Sequence, residues 1–357
     1  MNERLVKRIV QLALISGTAL LYVTGCGDDN DTSATHPPTV SEVDLVSNRP
    51  GAATTDSNLV NAWGIAISPN GTIWVSDNHS GVTTTYDGTG KPVMPTSVTI
   101  PAPPGVTGPA APTGMVFNDT SDFGGDKFIF ATEDGTIAGW QSGSSAQLRA
   151  DNSGANAVYK GIALANTGSG NFLYATNFHN GTVDIFDASY HAAILGGTFS
   201  DPQLPAGFAP FNIGVINGKL YVTYAKQDDM KHDDMKGPGN GYIDVFDTNG
   251  VLQRRFASQG ALNSPWGLAL APSDFDGIGG DLLVGNFGNG HISVFNPNSG
   301  AFLGQLEIPS GQPLVIDGLW ALVFANDTSA GSHDTLLFSA GPNGENDGLF
   351  GKLTPAG

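Results

Sequence analysis

Four oxygen-bearing side chains recur at one position of a repeated pattern. Asp77, Glu133, Asn177 and Asn286 each close a short apolar pentapeptide, reading IWVSD, IFATE, LYATN and LLVGN. A hard cation such as Ca²⁺ takes its ligands from carboxylates and amides, so a ring of these four would be a candidate metal site. The metal could polarise an ester carbonyl while a neighbouring base activates water. The same residues could instead cap a sheet and hold water, and the pattern alone leaves both readings open. His79 in SDNHSG and His179 in TNFHNG share a second recurrent position and are the candidate bases. With His232 they could hold Zn²⁺ if all three reach one face, or remain solvated on acidic loops.

These positions belong to six copies of one unit. Its first segment is WGIAI from Trp63, TGMVF from Thr113, KGIAL from Lys160, FNIGV from Phe211, WGLAL from Trp266 and WALVF from Trp320. The second is the pentapeptide above, completed by LYVTY ending at Tyr224 and LLFSA ending at Ala340. A turn glycine then follows in every copy, at Gly81, Gly135, Gly181, Gly241, Gly290 and Gly348, where a positive φ is expected. Short strands bounded by Gly, Pro, Asn and Asp, in units of about fifty residues that are too small to bury a core alone, must stack on their copies. The expected fold is therefore all-β, a six-bladed β-propeller with four strands per blade.

In such a ring the starts of the first strands and the ends of the second strands meet at one mouth of the central channel. That face would collect Trp63, Lys160, Trp266 and Trp320 in an inner ring. The loops carrying His79, Asp134, His179, the insertion 226–240 and residues 345–347 would surround it. The tryptophans would either offer a stacking platform to a sugar or aromatic ligand or plug the channel. The insertion KQDDMKHDDMKGPGN holds four acids and three lysines and reads as a lid or a mobile surface loop. The Asp-rich turns near Asp122 and around Asp274, Asp276 and Asp281 fall on the opposite face, lack the full Ca²⁺-loop pattern and are explained by turn chemistry.

The stretch AWGIAISPNGTIWVSDNHSGVTTTYD resembles the repeat of NHL-type propellers, and the resemblance runs from Asn58 to Leu353. The wording NLVNAWGIA, ATEDGTIAGW, SPWGLALAP, LLVGNFGNG and DGLFG resembles a family of exported bacterial propellers of unassigned role, some of them ending in a PEP-CTERM signal that this chain lacks. Lactonase and esterase propellers are similar in using an oxygen ring around Ca²⁺. Only that ring geometry carries over, because their further motifs do not match here.

The two chain ends complete the organisation. Residues 1–25 read as an export signal, with Arg4, Lys7 and Arg8 ahead of an apolar stretch too short and diluted to span a membrane. Val23-Thr24-Gly25-Cys26 resembles a lipobox, so Cys26, the only cysteine, is the expected lipidation site, at the outer membrane given the Gly27 that follows. Residues 26–42 read as a flexible tether and 43–357 as the propeller, with Val43 to Ser47 pairing as the outer strand of the last blade. Net charge is −18; residues 1–25 carry three basic and one acidic side chain, so the remainder carries −20 and repels nucleic acid and anionic lipid. No G-x-S-x-G elbow, P-loop or cysteine pair is present, which removes the usual support for serine-hydrolase, nucleotide and redox chemistry. The sequence thus favours a monomeric, lipid-anchored envelope module that binds a small molecule, glycan or envelope protein. The alternative is a Ca²⁺-type hydrolase at the channel mouth.

Overall fold

The computed structural model describes residues 38–275 and 277–356, so the expected signal segment, Cys26, most of the tether and Asp276 lie outside the described residues. Six sheets form six blades, antiparallel except for the short parallel pairing of Thr54–Thr55 with Val46 and Ser47. The innermost strands, in order from blade 1 to blade 6, are Ala62–Ile67, Pro112–Phe117, Tyr159–Asn166, Phe208–Ile216, Pro265–Leu270 and Leu319–Phe324. Each touches the innermost strand of the next blade, and the sixth returns to the first, so the ring is closed.

The sequence of these strands explains how closely they approach. Their third positions are Gly64, Gly114, Gly161 and Gly267 in four blades. A Cβ there would stand 2.5 Å from Thr113 O, 2.8 Å from Ile162 N, 2.1 Å from Asn212 Oδ1 and 2.8 Å from Trp320 O, respectively. The missing side chain lets each strand lie directly against its neighbour around the axis. The turn glycines divide into two kinds. Gly81, Gly135, Gly181 and Gly290 have the expected positive φ, near +70° to +78° or just below. Gly241 and Gly348 do not; they are glycines for space, since a Cβ would meet Pro265 Cδ at 2.6 Å and Leu59 O at 2.0 Å.

Ring closure follows the expected route. Val40–Ser47 pairs antiparallel with Leu349–Pro355, from Val40 opposite Pro355 to Ser47 opposite Leu349, and becomes the outer strand of blade 6. It begins at Val40, three residues ahead of the expected Val43, because Val40 is itself buried against blades 5 and 6. Blade 3 departs from the four-strand expectation. After its third strand, Thr182–Phe186, only Ala192 bridges back to it, and the sheet ends there. Between blades the core is aromatic, as where Trp74 of blade 1 stacks on Phe128 of blade 2 with ring centroids 4.1 Å apart.

Candidate functional site

The first residues of the inner strands do converge. Trp320 stacks on Trp63 at 3.7 Å, and Trp266 meets both edge-on at 5.9 and 6.2 Å. Phe287, just past the second strand of blade 5, stacks on the other face of Trp320 at 3.8 Å, and Lys236 from the inserted loop sits 3.9 Å above Phe287. The stack closes the channel. Trp63 and Trp320 are 1% exposed and Trp266 4%, so these tryptophans plug the mouth and present no stacking face to a sugar, which corrects the platform reading. Two of the indoles are tied into the ring, Trp320 Nε1 donating to Asn61 Oδ1 at 3.1 Å and Trp266 Nε1 to the Lys160 carbonyl at 3.2 Å, while Trp63 Nε1 has no partner among the described residues.

The oxygen ring does not form, and the cause is strand alternation. Ala62 pairs with Asp77, Tyr159 with Asn177 and Pro265 with Asn286, but in blade 2 the equivalent Pro112 pairs with Thr132. Glu133 is therefore one residue further on and points the opposite way. Asp77, Asn177 and Asn286 turn into their own blades. Asn177 accepts from the Val158 amide at 3.3 Å and donates to Asp184 at 3.0 Å. Asn286 accepts from the Asn263 amide at 2.9 Å and donates to Ser293 Oγ at 3.1 Å. Asp77 faces Thr84, is fully buried, and neither of its carboxyl oxygens has a hydrogen-bond partner among the described residues. Burial, opposed by Thr84 and reinforced by the nearby charge of Asp56, raises its pKa well above the ordinary value, which favours the neutral acid. These three residues cap blades and are not a ligand set for Ca²⁺.

Glu133 alone reaches the mouth, and a lysine is waiting there. Lys160, 2% exposed, directs its ammonium to Glu133 Oε1 and, at 3.2 Å, to Asp233 Oδ1 of the inserted loop, with the Trp63 ring 5.2 Å away. Burial favours the neutral amine, but the two carboxylates outweigh it and the net pKa is raised. Glu133 Oε2 accepts from Asn78 at 2.8 Å, Asn61 donates to Asn78 Oδ1 at 3.3 Å, and Asn61 also donates to Glu345 Oε2 at 2.9 Å. Asn61 is held in the left-handed region at φ +51°, which an Asn tolerates. Burial raises the pKa of Glu345, Asp134 and Asp234 alike.

The three histidines do not meet. His79 is exposed, and among the described residues its ring reaches Asn61, at 3.5 Å, while His179 contributes its backbone carbonyl to Gln227 at 3.3 Å. His232 instead joins Asp233 at 3.0 Å, a bond that raises the imidazole pKa and holds the carboxylate well below its usual range. Glu133, His232 and Asp233 bring one ligand atom each within 4.8 Å of one another, and Lys160 already bridges two of them. The sequence motifs do not single out Asn61, Asn78 or Asp233. A lone lysine in an aromatic ring requires a carboxylate partner, a signal that points to Asp233 but not to the two asparagines. On the opposite face, Asp274 pairs with His333, which also holds Asp327.

No family model matches the chain. Two uncharacterised proteins of Acanthamoeba polyphaga mimivirus are similar along most of its length. One is 33% identical over 328 residues, 87% of this chain and 78% of the viral one; the other is 34% identical over 330 residues, 87% and 84%. These relatives are viral, so the bacterial and exported part of the sequence resemblance does not come from them. Among solved structures, a streptogramin B lyase superposes with a TM-score of 0.54 at 11% identity, covering 89% of this chain and 98% of the lyase. A luciferin-regenerating enzyme does so with 0.53 at 12%, covering 90% and 96%. At these identities the likeness is one of fold, the six-bladed propeller.

Proposed function

The chain belongs to one family with these two mimivirus proteins, and we propose that it is a binding module whose recognition surface is the channel mouth around Lys160. The observation that carries this reading is the Glu133–Lys160–Asp233 bridge, which fastens the 226–240 insertion over the plugged channel. Around that bridge stand five carboxyl groups, those of Glu133, Asp134, Asp233, Asp234 and Glu345, against the ammonium groups of Lys160 and Lys236. A rim of this composition favours a cationic small molecule rich in hydrogen-bond donors, such as an amine or amino sugar, over a neutral glycan that needs an exposed aromatic face. In this reading the module is exported and held at the envelope by a lipid on Cys26.

The test is a thermal-shift titration with spermidine, glucosamine and glucose. Saturable stabilisation by the two amines, lost in Glu345→Gln, is expected. Equal response to glucose, or amine binding untouched by Glu345→Gln, would overturn the reading. The hydrolase reading keeps one specific support, the closeness of Glu133, His232 and Asp233. It requires a cation to displace Lys160, and a lactone and ester panel with and without chelator tests it.

A further inference from the structure

Blade 3 ends one strand short. Outer strands Pro92–Thr99, Gln147–Asp151, Leu252–Ser258, Phe302–Gln305 and Val40–Ser47 complete the other five blades. Beside Thr182–Phe186 there is only a brief contact, in which the Ala193 amide donates to the Ile185 carbonyl at 2.8 Å. That bond shows that the backbone of Ile185 faces outward, and the two-residue period of a strand turns the backbone of Val183 the same way. No main-chain partner for Val183 lies on that side among the described residues.

The chain then leaves the edge. Phe199, 5% exposed, inserts between Tyr174 and Phe246 at ring distances of 5.6 and 5.2 Å and carries residues 194–199 away from the sheet. A groove of about 430 Å³ remains between the strand edge and this segment. Val183, Ile185, Leu195 and Phe199 line it with apolar surface, and Ile194 on its rim is 97% exposed. A native edge is normally shortened, charged or covered; this one is apolar and open.

We propose that this edge accepts an extended peptide of a partner protein, which adds the missing fourth strand of blade 3 and brings basic side chains alternating with apolar ones. The charge of the groove selects that chemistry. Asp184 is the only charged residue in its lining; it accepts from Tyr159, Asn177 and Thr182, and among the described residues it has no ion-pair partner. A second copy of the chain would oppose Asp184 to itself, and each copy carries a net charge of −18. Apolar side chains of the peptide would lie on Val183, Ile185 and Ile194, and its basic ones would face Asp184.

The probe is a short synthetic peptide alternating valine and lysine, labelled with fluorescein and titrated into the full-length protein. Its controls are a valine–glutamate peptide and a valine–lysine peptide N-methylated on the amides of one edge. Binding about tenfold or more weaker for both controls is expected, because one lacks the complementary charge and the other the strand hydrogen bonds. Ile194→Ser, at a side chain outside the core, and Val183→Pro, which removes the outward amide, should each weaken the valine–lysine peptide. Hydrogen exchange at the Val183 amide should slow when it binds. Equal binding of the N-methylated peptide, no change with Ile194→Ser, or a self-association that Val183→Pro abolishes would each overturn the proposal.

Discussion

Replacing Asp77 by Asn should stabilise the protein at neutral pH, although it removes an acid from a conspicuous motif. The carboxyl is fully buried, neither oxygen is hydrogen-bonded among the described residues, and burial raises its pKa well above the carboxylate range. A group whose folded-state pKa is raised contributes stability that is fully present below its unfolded pKa and is lost as pH rises toward the folded value. The unfolded chain ionises Asp77 near pH 3.9, so as pH rises above that value the folded state loses stability relative to the variant, by at most about 1.4 kcal/mol per pH unit while the buried carboxyl stays protonated. Asn cannot ionise, and Asn177 and Asn286 already occupy the equivalent positions of blades 3 and 5. Urea unfolding of wild type and Asp77→Asn at pH 5, 6 and 7 should give midpoints that separate progressively in favour of the variant. Parallel midpoints, or a variant that loses ground as pH rises, would refute the neutral-acid assignment.

Lys160→Met leaves Glu133 and Asp233 without their shared ammonium and should cost about 3 kcal/mol. Millimolar Ca²⁺ should then raise the melting temperature of the variant more than that of wild type, measured by scanning calorimetry with and without chelator. Starting the chain at residue 48 uncovers the edge of Leu349–Pro355 and exposes the contacts of Val40, Leu45 and Val46, a loss of about 5 kcal/mol. Light scattering should report aggregation of the truncated chain, and a peptide of residues 38–47 should suppress it. Cys26→Ser should move the protein from the membrane fraction to the soluble one and abolish palmitate labelling.

The blades were legible because turn glycines and short apolar runs recur at fixed spacing, and Trp63, Lys160, Trp266 and Trp320 were correctly gathered at one mouth. The candidate site failed on a single-residue register. The strand Phe128–Thr132 reads FIFAT and is buried on both faces, so it lacks the alternation that would distinguish Thr132 from Glu133 as the equivalent of Asp77. That slip moved Glu133 into a ring it never joins and hid its bond to Lys160. Asn61 was invisible for another reason: its role depends on a left-handed backbone and on a Glu345 partner 284 positions away. The short sheet of blade 3 was also hidden, since residues 192–199 contain enough apolar side chains to pass for a strand until Phe199 inserts between blades.

The antiparallel seam between Val40–Ser47 and Leu349–Pro355 also sets a timetable. The strand made first must wait for the strand made last, across about three hundred residues. At a synthesis rate of about 5–20 residues per second, that is roughly 15 to 60 seconds in which the apolar face of Val40, Leu45 and Val46 has no mate. Blades 1 to 5 can gather in sequence order during this interval, but none of them can close the ring. The last strand to be made completes the seam, and a chain cut just before Leu349 leaves Val40–Ser47 and Leu336–Ala340 without the strand they share.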